Sequence, residues 1–174
     1  MLRTTTLSPD DRFAIKDLMT RYSWALDTGD LDAFVACFAT DGMMVEEVFK
    51  EPDIWQGQSG LRRLAEHYRS IPNFAGRQHY CGNTLVTGRP EGGAHARSFA
   101  LVTECLGAPP YVLRFCGYFE DELVCPNGQW LFQRRVLRLW DGDVLARFPG
   151  RDASELRRRS PDLALVRKHT GDAG

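Results

Sequence analysis

The chain changes texture once, between Pro72 and Gly76, and this change restricts its architecture more than any other feature. Before it, apolar residues return at helical spacing; after it, short runs alternate between turn signals. Ser8-Pro9-Asp10-Asp11 offers an N-cap, a proline at the first helical position and early acidic residues. Phe13, Ile15, Leu18, Met19, Tyr22 and Leu26 follow with the period of a helix. The spacing predicts a first helix to about Asp27, stopped by Thr28-Gly29, and a second, capped by Asp30, through LDAFVACFA. MMVEEVF reads as a short strand and LRRLAEHYRSI as a third helix closed by Pro72. Residues 77–87, 94–106, 111–124 and 129–140 read as four β segments, punctuated by GRPEGG, GAPP and PNG. Helices first and antiparallel strands later predict the α+β class, with three N-terminal helices on one face of a curved, mostly antiparallel sheet.

A chain of 174 residues accommodates one domain with a sizeable core. The expected division is a domain over 1–150 and a basic tail over 151–174, containing ASELRRRS and DLALVRKH, read as a solvated terminal helix that frays. With 22 basic and 23 acidic residues the formal charge is -1, which argues against a charge-driven nucleic-acid partner or anionic membrane surface. Small, roughly neutral molecules are the expected partners. Cys37, Cys81, Cys105, Cys116 and Cys125 are odd in number, lack CxxC spacing and mostly sit in apolar runs. Reduced, buried thiols in a cytoplasmic protein are therefore expected. The N-terminal residues lack a signal-peptide stretch, and no segment approaches the roughly 20 apolar residues of a membrane span.

Dinucleotide, nucleoside triphosphate, serine-hydrolase and zincin signatures are all absent. His67, His79, His95 and His169 show no zinc-ligand spacing, so metal-independent chemistry is expected. RQHYCGN is the informative stretch: strand alternation puts His79, Cys81 and Asn83 on one face, as the wall of a pocket if that face points inward. Tyr22 and Asp27 lie on the last turns of the first helix. A carboxylate there meets the negative end of the helix dipole and needs a donor. His79 is the candidate: an Asp accepting Nδ1–H fixes the imidazole tautomer and leaves Nε2 to take a proton. Against this stands ordinary turn chemistry for Asp27 and a core position for Tyr22.

RYSWALDTGDLDAFVACFATDG, GRQHYCGN and NGQWLFQRRVLRLW together resemble the SnoaL-like, nuclear-transport-factor-2-like superfamily, and within it the scytalone dehydratase-like branch. The similarity runs over about residues 10 to 140. It implies a cone-shaped α+β barrel and an Asp27–His79 pair matching that of scytalone dehydratase, hexachlorocyclohexane dehydrochlorinase and bile-acid 7α-dehydratase. Tyr22 and Arg138 match a helix-one tyrosine and a last-strand arginine of the bile-acid enzyme. The resemblance implies a lyase in which His79 is general base, Asp27 orients it, and Tyr22 or Arg138 polarises a carbonyl or assists the leaving group.

Glu46, Glu104 and Leu26 stand where scytalone dehydratase has tyrosine, histidine and tyrosine, so scytalone itself is not the expected substrate. A Glu46 or Glu104 carboxyl facing an apolar cavity would titrate above its usual range and could act as a general acid; exposure at a strand edge is the plain alternative. Cys81, Asn83, Tyr118, Trp55 and Tyr68 complete the expected substrate-binding set, Cys81 as a wall residue rather than a nucleophile. The resulting expectation is a cofactor-independent dehydratase or isomerase acting on a cyclic, hydrophobic carbonyl compound of polyketide, steroid or terpenoid type. Two other readings use the same fold: a structural subunit like the β subunit of ring-hydroxylating dioxygenases, suggested by RRVLRLWDGDVLARFP, and a small-molecule binding module. Apolar side chains on both faces of the last strands predict a homo-oligomer, and the resemblance to the dehydratase branch implies a trimer rather than a dimer.

Overall fold

The computed structural model describes residues 6–72, 74–105 and 107–140. They lie almost entirely in Met1–Leu139, the first of two units into which the chain divides. The expected tail over 151–174 and His169 lie outside the described residues.

Helix α1 spans Pro9–Thr28. Ser8 and Asp11 form a reciprocal capping box at its start, and Gly29 ends it in the left-handed conformation at φ 71°. α2 is shorter than expected, Leu31–Val35, because Phe38 already belongs to strand β1, Phe38–Glu47. The phenylalanine-rich end of LDAFVACFA therefore enters the sheet, where the Phe38 ring packs at a 46° tilt against Phe132 with centroids 5.3 Å apart. A four-residue strand, β2 (Asp53–Gln56), precedes α3 (Gly57–Ser70) and was not foreseen. β3 (Gln78–Gly88), β4 (Ala94–Glu104), β5 (Val112–Val124) and β6 (Leu131–Leu139) match the four expected β segments.

The six strands form one curved, unclosed sheet in the order β2-β1-β6-β5-β4-β3, antiparallel except where β1 runs parallel to β6. The mixed α+β class and the packing of three helices on a mostly antiparallel sheet are as expected. In β4 the alternation is complete: Ala94, Ala96, Ser98, Ala100, Val102 and Glu104 are buried under the helices. Two interruptions of this alternation decide what the sheet offers. In β3 the pairing steps from Gly82–Phe99 to Leu85–Arg97, so an extra residue bulges, and Asn83 adopts a φ of 50°. In β6 the pairing steps from Leu123–Phe132 to Glu122–Arg134, with Gln133 as the extra residue.

The core joins the three helices to the inner face of β1, β4, β5 and β6. Tyr22, Phe34, Phe38 and Phe132 form its aromatic centre, with centroid separations between 5.2 and 6.0 Å. The cysteines only partly match expectation. All five are free, yet Cys116 and Cys125 are exposed and only Cys37 is fully buried. Strand alternation carries Cys116 to the outer face, since it pairs with Leu101 rather than with a residue turned toward the helices. Among the described residues no helix is long and apolar enough to cross a membrane.

Candidate functional site

The end of α1 and the start of β3 bring Asp27 and His79 together. Asp27 Oδ1 lies 2.5 Å from His79 Nδ1, and Asp27 Oδ2 accepts the His79 backbone N–H at 2.7 Å. One carboxylate thus grips both the ring and the main chain of a residue 52 positions away. Gly29 stops the helix two residues after Asp27, and Gly76 lets β3 start against the chain at Cys105. A Cβ on Gly76 would lie 1.9 Å from the Cys105 carbonyl oxygen. Both partners keep slight solvent contact, 12% for the His79 side chain and 18% for Asp27. They open into a groove of about 520 Å³ between α1 and β3, to which Ser23, Trp24, Arg77, Cys81 and Tyr111 also contribute.

Behind His79 lies a second polar group. Tyr68, on α3, stands edge-on to the His79 ring with centroids 6.3 Å apart, and its hydroxyl donates to Glu46. Trp55 Nε1 donates to the other Glu46 oxygen at 3.2 Å. Glu46 is only 3% exposed, so the strand-edge alternative is excluded. Burial pushes its carboxyl above the ordinary range, against the lowering effect of the Tyr68 and Trp55 hydrogen bonds. Burial likewise raises the Tyr68 hydroxyl, which stays protonated.

Tyr22 is 2% exposed and takes its place in the aromatic core, next to Phe119 as well as the rings named above. Burial raises its hydroxyl too. Glu104 is buried at the end of β4 that pairs with the start of β3, two residues beyond Val102, the partner of His79, and Arg114 Nε approaches its carboxylate at 3.4 Å. Cys81 faces inward as expected and accepts hydrogen bonds from Ser23 Oγ at 3.4 Å and Arg135 Nη2 at 3.5 Å.

Three expected members lie elsewhere. The β3 bulge turns Asn83 out to solvent, and the inward place passes to Thr84, whose Oγ1 lies 3.5 Å from Met19 Sδ. Tyr118 pairs with Phe99 and Arg138 on the face of the sheet away from the helices. Arg138 binds Glu120 Oε2 at 3.0 Å and also meets Glu47. With Phe132 inward, strict alternation would turn Arg134 and Arg138 inward. The extra residue at Gln133 reverses this and delivers Arg135 instead.

Arg135 is the residue that sequence reasoning missed. It is fully buried, its guanidinium carbon 3.6 Å from the Phe119 centroid, 4.2 Å from Tyr22 and 4.3 Å from Phe132. Its Nη1 lies 3.5 Å from Asp121 Oδ2, and Asp121 is equally buried. Burial pushes the Asp121 carboxyl up to about 6 despite the attraction of Arg135. RRVLRLW contains three arginines, and only the bulge position selects among them. Arg77 was also passed over, although it stands two residues before His79 and therefore on the same side of an ideal strand.

Comparison with known proteins agrees with this architecture. A family model described as a SnoaL-like domain matches residues 8–136. No curated protein sequence matches the chain. Among solved structures, an NTF2-like protein with a cystatin-like fold from Novosphingobium aromaticivorans is 25% identical, with a TM-score of 0.69 over 79% of this chain and 87% of its own. A candidate scytalone dehydratase from the same organism is 25% identical, with a TM-score of 0.63 over 75% and 85% of the two chains. A candidate aromatic ring hydroxylase, again from that organism, is 25% identical with a TM-score of 0.62 over 78% and 93%. With a family match that covers most of the described residues and a fold shared with these structures, the chain belongs to the SnoaL-like domain family, within the NTF2-like superfamily.

Proposed function

We propose that the protein is a cofactor-independent dehydratase or isomerase in which His79 removes a proton next to a carbonyl of a cyclic, hydrophobic substrate. The observation that carries this reading is the two-point grip of Asp27 on His79. A scaffold needs no imidazole held by ring and backbone at the mouth of a groove; a general base does. With Asp27 on Nδ1, the Nε2 lone pair is the proton acceptor and the imidazolium that forms is stabilised by the adjacent carboxylate. Elimination and isomerisation share this step. They diverge in the next: an eliminating enzyme returns the proton to a leaving hydroxyl, an isomerase to another carbon. Glu46, whose burial favours the protonated form, and the Tyr68 hydroxyl bonded to it form the acid arm of this proposal.

The test is solvent-deuterium exchange followed by NMR, using a panel of cyclic β-hydroxyketones and enones with wild-type protein and His79→Ala. Exchange at the α-carbon or loss of water that disappears in the variant is the expected result. Undiminished activity in His79→Ala overturns the mechanism. The likeness to a candidate ring hydroxylase, together with exposed Tyr80 and Leu101 on the outer sheet face, supports a second reading as a non-catalytic subunit. Co-purification with an iron–sulfur partner and inertness toward the whole panel would favour it.

A further inference from the structure

The groove at the Asp27–His79 pair contains a cation that no carboxylate meets. On the sheet, Arg114, Arg134, Arg135 and Arg138 each lie within ion-pair distance of Asp or Glu. Arg77 has no such partner among the described residues, although it lines the same groove as His79. Its guanidinium carbon lies 5.2 Å from the centroid of the Tyr68 ring, and its Nε is buried without a hydrogen-bond acceptor. Both Asp27 oxygens are already engaged by His79. A guanidinium N–H withdrawn from water and left unpaired is costly, and the planar fork is shaped to receive two oxygens of one group. Trp24 and Tyr111, 69% and 60% exposed, give the groove an aromatic rim.

We infer that the ligand of this groove is a flat aromatic or polycyclic acid whose carboxylate is received by Arg77 while its rings lie against the aromatic rim. This rests on the proposed function and narrows it: the substrate is an anion rather than the neutral molecule expected from net charge alone. Arg77 is then a specificity-determining residue. It anchors the acid group from the residue just before β3, two positions from the base, so that the carbon presented to His79 belongs to the ring system beside the carboxylate.

Binding of 2-naphthoate and of its uncharged analogue 2-acetylnaphthalene, measured by calorimetry on the full chain, tests the assignment without requiring turnover. Wild-type protein should bind the carboxylate about tenfold more tightly or better. Arg77→Gln should abolish that preference while leaving the ketone's affinity unchanged, and Arg77→Lys should retain part of it. His79→Ala should keep the preference, so that failure of the catalytic reading and failure of this one give different patterns. A wild-type protein that does not prefer the carboxylate, or a preference that survives Arg77→Gln, overturns the inference.

Discussion

At the scale of the residue, the proposed chemistry of the groove turns on a single carboxylate. Asp27→Asn preserves shape but replaces an acceptor-only group with one that can also donate, so the His79 tautomer is no longer fixed. The expected loss in kcat is about 10²- to 10⁴-fold, the usual range for positioned general-base catalysis. It should leave KM for the best substrate little changed, measured by initial rates beside a circular-dichroism check of folding. Asp121 carries a different prediction. Its carboxyl titrates near 6 in the folded protein, above its ordinary value of 3.8, because burial disfavours the charge. The folded state therefore holds the proton more tightly than the unfolded one between those values. Its contribution is fully present below about 3.8 and is lost as pH rises through about 6. Urea unfolding of wild type and Asp121→Asn across pH 4 to 7 should show wild type losing stability relative to the variant as pH increases. The difference should amount to at most about 3 kcal/mol, from 1.36 kcal/mol per unit of pKa. A constant offset across that window would refute the assignment.

At the scale of the element, α1 and β3 matter because each ends beside the site. Gly29→Ala places a β-carbon at φ 71° and 2.9 Å from Arg69 Cδ, and should destabilise the protein by about 1–2 kcal/mol. Because Asp27 sits in the turn that Gly29 closes, activity should fall along with the thermal midpoint, and both are read on the same sample. These elements were legible in the sequence for stated reasons. The Ser8 cap, the apolar period of α1 and the Thr28-Gly29 stop are local signals, and the alternation across 77–140 is unbroken for most of its length. What escaped were the places where a strand gains a residue. No residue type announces the bulge at Gln133, and Asn83 is a residue that tolerates positive φ without requiring it. Each bulge reverses the facing of the residues beyond it. This is why Asn83 and Arg138 left the expected site and Arg135 entered the core. Cys81 and His79 keep the inward facing that strand alternation gives them, because they precede the β3 bulge.

At the scale of the whole molecule, the outer face of the sheet carries exposed apolar side chains. Tyr80, Leu101 and Leu113 are 69%, 39% and 56% exposed. A homo-oligomer is the expected consequence. Light scattering coupled to gel filtration should give a multiple of 19.7 kDa for the wild type and a lower mass for Leu101→Lys. Among the described residues the sheet also ends at β3, so the strand that bears His79 is a margin rather than a centre. Main-chain amides on such a margin ordinarily trade their protons with water quickly. The His79 amide is held by the same carboxylate that orients its ring. Its exchange with deuterium should therefore lag behind that of neighbouring edge amides, and it should speed up in Asp27→Asn. One backbone resonance thus records whether the proposed base is held in its orientation, before any substrate has been found.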